Sequence, residues 1–104
     1  MAESEWTVRA RQPHSLPRDE AKRRIAEKIT VFIGNHASWG INGSWTSEYT
    51  YTFTCSGAGF EGVSGEIKVW AEQVVINMML PPDKAGYAGL VEQKAEEKLR
   101  NILA

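Results

Sequence analysis

Apolar and polar residues alternate with a period of two in four stretches of the chain, and in two others the apolar residues recur at helical spacing. Trp6, Val8 and Ala10 alternate with Thr7, Arg9 and Arg11, which predicts a short first strand with its cationic side in water. Pro13 ends it, because proline has no N–H to give a ladder. Over residues 45–55, Trp45, Tyr49, Tyr51, Phe53 and Cys55 alternate with Thr46, Glu48, Thr50, Thr52 and Thr54. Aromatic and β-branched residues at this period predict a second strand, aromatics toward the core and threonines outward. Ser56-Gly57-Ala58-Gly59 is turn material. Residues 60–71 predict a third strand with Ile67 and Val69 inward and Glu66, Lys68 and Trp70 outward. Gly62 and Gly65 mark a bulge or a close approach of backbone within it. Val74, Ile76, Met78 and Leu80 alternate with Val75, Asn77 and Met79 in a fourth strand, which Pro81-Pro82 stops.

The helical stretches are residues 17–33 and 87–103. Pro17 suits a first helical turn, with Ser15 as the candidate cap and Asp19 and Glu20 favoured there by the helix dipole. Ala21, Ile25, Ile29, Phe32 and Ile33 form its apolar stripe, and Gly34-Asn35 its stop. Asp83 is the candidate cap of the second helix, whose stripe is Tyr87, Leu90, Val91, Ala95, Leu99, Ile102 and Leu103. Gly86 and Gly89 delay its regular start to Gly89 or Leu90.

The resulting order is β-α-β-β-β-α in one domain spanning residues 1–104. The expected fold is α+β: a two-layer sandwich with a mainly antiparallel four-stranded sheet and two helices on one face. Three strands on short turns pair as a meander. The first strand joins an edge after a helical crossover, which allows a parallel pairing there.

Charge narrows the function classes. Lys and Arg total 12 against 13 Asp and Glu, and a chain of net charge −1 lacks the electrostatic footprint of a nucleic-acid binder. Lys22-Arg23-Arg24 reads as a solvated helix face, with a phosphate patch as the alternative. No apolar run has the roughly 20 residues a membrane span needs, and the acidic N-terminus does not read as a signal peptide. The single Cys55 cannot close an internal disulfide and fits a reducing compartment, so the expected location is cytoplasmic. Cys55 reads as a small apolar strand residue rather than a reactive thiol.

Catalytic and metal chemistry find no footing. No carboxylate pair falls into acid–base spacing, no His/Cys set has metal-ligand spacing, and the glycine clusters do not lead into a helix as an anion loop would. His14 and His36 flank the first helix at opposite ends, and His14 is placed to donate to a carbonyl at the strand–helix junction. The expectation is a non-enzyme with no cofactor and no metal. Binding candidates lie on surfaces. Trp70, Val75 and Met79 are large apolar residues on the outward parity of adjacent strands, a patch suited to a partner or to self-association, or else incidental exposure. Trp39, in the Gly- and Ser-rich stretch 37–44, reads as a lid folded onto the core or as a binding anchor.

Two segments resemble a known family. One is Pro13-His14-Ser15-Leu16 leading into a charged helix with Glu20-Ala21 and Arg24. The other is Gly62-Val63-Ser64-Gly65-Glu66-Ile67-Lys68-Val69, followed by an apolar strand, Leu80-Pro81 and a terminal helix with Val91-Glu92 and Leu99. Together, from Pro13 onward, they resemble the putative polyhydroxyalkanoic acid system proteins; the 37–59 region departs, being longer and richer in glycine and threonine. The resemblance implies a non-catalytic accessory protein of polyester storage, partnered by the granule surface or by granule proteins, and carries over no catalytic residues. The alternative is a small domain that binds an acyl or hydroxyacyl ligand between its helices and the Tyr49/Tyr51/Phe53 face.

Overall fold

The computed structural model describes residues 6–57 and 59–104. Its elements run β1 (Val8–Pro13), α1 (Arg18–Asn35), β2 (Ile41–Ser47), β3 (Thr50–Cys55), β4 (Ser64–Val69), β5 (Gln73–Met79) and α2 (Ala88–Leu103). Short 3-10 turns at Ala37–Trp39 and Pro82–Tyr87 precede β2 and α2. Ala58 of the expected turn and the acidic residues 1–5 lie outside the described residues.

The class is α+β as expected, but the sheet has five strands in the order β1-β5-β4-β3-β2 and every neighbouring pair is antiparallel. The alternation predicts four because it runs straight through a reversal. Ser47 pairs with Thr50 across a two-residue loop, Glu48-Tyr49, that contains no Gly, Asn or Pro to betray a turn. A register irregularity between Trp45 and Ser47 accompanies the turn, so Trp45, Tyr49 and Tyr51 keep one common face. What looks like loop at Ile41–Ser44 is therefore ladder.

This hairpin also decides the direction of β1. A crossover helix leaves β1 parallel to the first strand of the meander. With three strands the last would run the same way as β1; with four it runs against it. β1 accordingly pairs antiparallel with β5, Val8 opposite Met78 and Ala10 opposite Ile76, and the allowed parallel edge does not occur.

Both helices cover the same face. Ala21 and Ile25 of α1 and Leu99 and Leu103 of α2 bury against Val69 and Val74, and Leu16, Ile29, Trp45, Tyr49, Ile67 and Ile76 pack around them. A second cluster joins Val8, Cys55, Val63 and Leu80 to Ala88 and Val91 at the start of α2. Each fully buried aliphatic side chain contributes roughly 1.5–3 kcal/mol. Arg24 ties the helices together by donating to the carbonyls of Ile102 and Ala104, the chain end where α2 has unpaired acceptors.

The helix ends differ from expectation. Pro17, not Ser15, occupies the N-cap of α1, with no side-chain cap bond, and α2 likewise lacks one from Asp83. α1 continues through Gly34-Asn35, and the left-handed stop falls at Gly40 (φ 64°) after the 3-10 turn. Tyr87 and Leu90 are exposed. Leu90 precedes Val91 by one residue, a rotation of about 100° that carries it out of the stripe. Tyr87 belongs to the tighter 3-10 turn, which shifts the phase.

Candidate functional site

The β4–β5 hairpin holds Trp70 where the two layers meet. Its N–H donates to the Gln73 carbonyl (2.8 Å), closing the two-residue loop Ala71-Glu72. Its carbonyl lies 3.1 Å from Nε2 of His14. The tautomer follows from the other ring nitrogen: Nδ1 accepts the N–H of Leu16 (3.1 Å), so the proton of the neutral ring sits on Nε2 and is donated to Trp70. The His14 N–H donates in turn to the Glu72 carbonyl (2.9 Å). The strand–helix junction and the hairpin are thereby fastened together, which is the structural role expected of His14.

While its backbone is fixed, the indole of Trp70 stays 45% exposed. Arg18 reaches it from the helix layer and Lys68 from the sheet, each cation 5.9 Å from the ring centre. Arg18 is itself held: Nε donates to the Val69 carbonyl (2.9 Å) and the guanidinium lies 3.8 Å over the ring of Tyr49. The phenol of Tyr49 donates to Asp19 (2.5 Å), and that bond, aided by partial burial, pushes its pKa up to about 12.

Trp70 and Lys68 form the ridge between two open grooves. One, of about 310 Å³, is lined by Arg18, Tyr49, Thr50, Lys68 and Trp70 among others. The second, of about 510 Å³, runs over the outer face past Arg9, Arg11, Lys68, Trp70, Val75 and Asn77 and ends against Glu92 and Glu96 of α2. Of the Tyr49/Tyr51/Phe53 face, where an acyl pocket is expected, only Tyr49 lines one of these grooves, the first, beside Arg18.

The four binding candidates do not converge. Val75, opposite Lys68 and Arg11 on the outer face, lines the second groove beside Trp70. Met79 shares that face but stands four residues along β5, roughly 13 Å at 3.3 Å per residue, with its sulfur 3.9 Å from the hydroxyl of Thr7. A polar band separates them: Asn77 donates to Glu66 (3.2 Å), which pairs with Lys68 (3.7 Å). Trp39 is elsewhere. It stacks on Phe60 (4.3 Å between centroids), itself packed against the second core cluster, and contacts His36 and Phe32.

Sequence reasoning misses Arg18 and Lys68 as companions of Trp70. The cue was there for Lys68, whose outward parity equals that of Trp70. For Arg18 there was none, since its contacts with Tyr49, Val69 and Trp70 join positions far apart in the chain. Cys55 is buried, and burial pushes its thiol pKa up, away from the reactive thiolate. Among the described residues no group of three or more His, Cys, Asp or Glu is placed to hold a metal ion, and no helix is long and apolar enough to cross a membrane.

The fold and this site define a small two-layer α+β domain with an open sheet face. Comparison with known proteins goes one step further: the chain belongs to the putative polyhydroxyalkanoic acid system protein family, whose profile matches residues 8–103. No curated protein and no solved structure matches it.

Proposed function

We propose that this protein is a non-catalytic, cytoplasmic accessory factor of polyester storage that binds the granule surface through the Trp70 end of its open sheet. The observation carrying this reading is the half-exposed Trp70, its backbone held by His14, with Arg18 and Lys68 beside its ring. A polyester surface presents alkyl groups and ester carbonyls, which accept hydrogen bonds and donate none. Its complement is an apolar anchor surrounded by donors. Trp70 and Val75 supply the anchor; Arg18, Lys68, Arg11 and the indole N–H supply donors. Family membership supports the choice of polyester over other amphiphilic surfaces.

Co-sedimentation with isolated polyester granules tests the proposal. The wild type is expected in the pellet, Trp70→Ser with Val75→Ser in the supernatant, and Met79→Ser between them. Leu90→Ser, which removes an exposed apolar side chain from α2, controls for general stickiness. A wild type that stays in the supernatant, or an equal loss with Leu90→Ser, defeats the proposal.

A further inference from the structure

The two edges of the sheet are treated differently. β1 carries Arg9, Arg11 and Pro13, and α2 packs along it. These are the devices that keep a strand edge from pairing with another chain. β2, at the other edge, carries neither charge nor proline over Ile41–Ser47, and its ladder is regular as far as Trp45.

Its open hydrogen-bonding groups can be assigned. Cys55 N–H donates to Val63 and Ser56 N–H to Gly40, so odd residues of β3 bond toward β4 and even ones toward β2. In the β2–β3 register Asn42 faces Thr54 and Ser44 faces Thr52, so those two residues bond inward. The N–H and C=O groups of Ile41, Gly43 and Trp45 point off the sheet. The same edge is flanked by α1, where Lys22 lies 4.9 Å from the ring of Trp45. Ala26, Ile29 and Ile33 follow Lys22 along that side at helical spacing, all three half-buried.

We propose that β2 pairs with β2 of a second copy of this chain, antiparallel, about a twofold axis through Gly43. The strand itself argues for a second copy. Ile41-Asn42-Gly43-Ser44-Trp45 reads apolar, polar, glycine, polar, apolar, and so is a palindrome of residue classes about Gly43. Laid against itself, Ile41 meets Trp45 of the other copy on the core side, and Asn42 meets Ser44 on the outer side. Every open N–H and C=O of Ile41, Gly43 and Trp45 gains a partner, and no like charges oppose. The axis falls on the one residue without a side chain, where the Tyr51 hydroxyl already fills the space a Cβ would take. The register irregularity begins after Trp45, where the palindrome ends. The interface is isologous, as a closed dimer requires. It brings the Ala26/Ile29/Ile33 flanks of the two α1 helices side by side, adding apolar area toward the roughly 1,200–2,000 Å² of a specific interface. The continuous sheet so formed turns both Trp70 faces to the same side.

Analytical ultracentrifugation of the full chain tests this. The wild type is expected at twice the 11.6 kDa chain mass. Asn42→Lys with Ser44→Lys, two exposed positions, sets like charges directly opposite across the new ladder. It is expected to sediment at 11.6 kDa with an unchanged circular dichroism spectrum. Asn42→Glu with Ser44→Lys sets opposite charges there and is expected to restore the dimer, more weakly in high salt. A monomeric wild type, leaving the edge to a foreign strand or to none, overturns the proposal. So does a double-lysine variant that still dimerises.

Discussion

Gly65 offers a decisive check on how the sheet is packed. It is the second residue of the central strand β4, on the core side, between Phe53 of β3 and Met78 of β5. A Cβ added there would lie 2.5 Å from the Asn77 carbonyl oxygen, 2.8 Å from the Phe53 ring and 3.1 Å from the Met78 side chain. Methionine can yield, but the carbonyl belongs to the β4–β5 ladder and cannot move without disturbing it. Overpacking of this kind costs about 1–3 kcal/mol, and the backbone contact puts Gly65→Ala toward the upper end. Restricting the unfolded chain returns about 0.4–1 kcal/mol. The expected net loss is about 2 kcal/mol, a fall in Tm of roughly 8–16 °C for a chain of this size. Gly89→Ala makes the same chemical change in α2, where nothing lies within 4 Å of the new methyl, and is expected to gain about 0.5–1 kcal/mol. Unfolded-state effects are nearly the same in both variants, so the difference between them isolates the contacts at Gly65. Urea unfolding followed by tryptophan fluorescence, with midpoints compared at a common slope, measures it. A Gly65→Ala midpoint at or above wild type would refute the packing described for β4.

Two titrations probe the first helix. Arg23 and Arg24 donate to Glu20 and hold its pKa at about 2, below the ordinary 4.5. A depressed carboxylate stabilises the fold above its unfolded pKa and loses that contribution as pH falls through the folded value. The wild type should therefore lose thermal stability between about pH 4.5 and 2 more steeply than Glu20→Gln, and parallel curves would contradict it. Tyr49 has the opposite sign: its raised pKa makes the bond to Asp19 fully stabilising below pH 10 and lost as pH rises toward about 12. Asp19→Asn should bring the Tyr49 phenolate absorbance, obtained by difference from Tyr49→Phe, back toward an ordinary midpoint; an unmoved midpoint would separate the shift from that hydrogen bond.

The strands β1 and β5 and the buried stripe of α1 were legible because their periodicities are uninterrupted and local, whereas of the strand expected over residues 60–71 only Ser64–Val69 forms, the glycine-bearing start being a turn. Trp39 was legible only as a choice between lid and anchor, since stacking on Phe60 depends on a contact 21 positions away along the sequence. The grouping of Trp70 with Val75 was readable from strand parity. The separation of Met79 was not, because parity gives a face and not a distance along it. The Asn77–Glu66–Lys68 band between them exists only once β4 and β5 are in register.

The sequence by itself determined the α+β class, the faces of most strands, the helical stripes and the family, all of which rest on residue order and short-range spacing. Tertiary structure decided the fifth strand, and with it the direction of β1. The Glu48-Tyr49 loop carries no turn-forming residue, and its reversal is fixed by Trp45 and Tyr51 meeting across the hairpin with ring centres 5.4 Å apart. It also decided the surroundings of Trp70. The side chains of His14 and Arg18 donate to the backbone carbonyls of Trp70 and Val69, and these groups are brought together only when β1, the start of α1 and the β4–β5 hairpin converge.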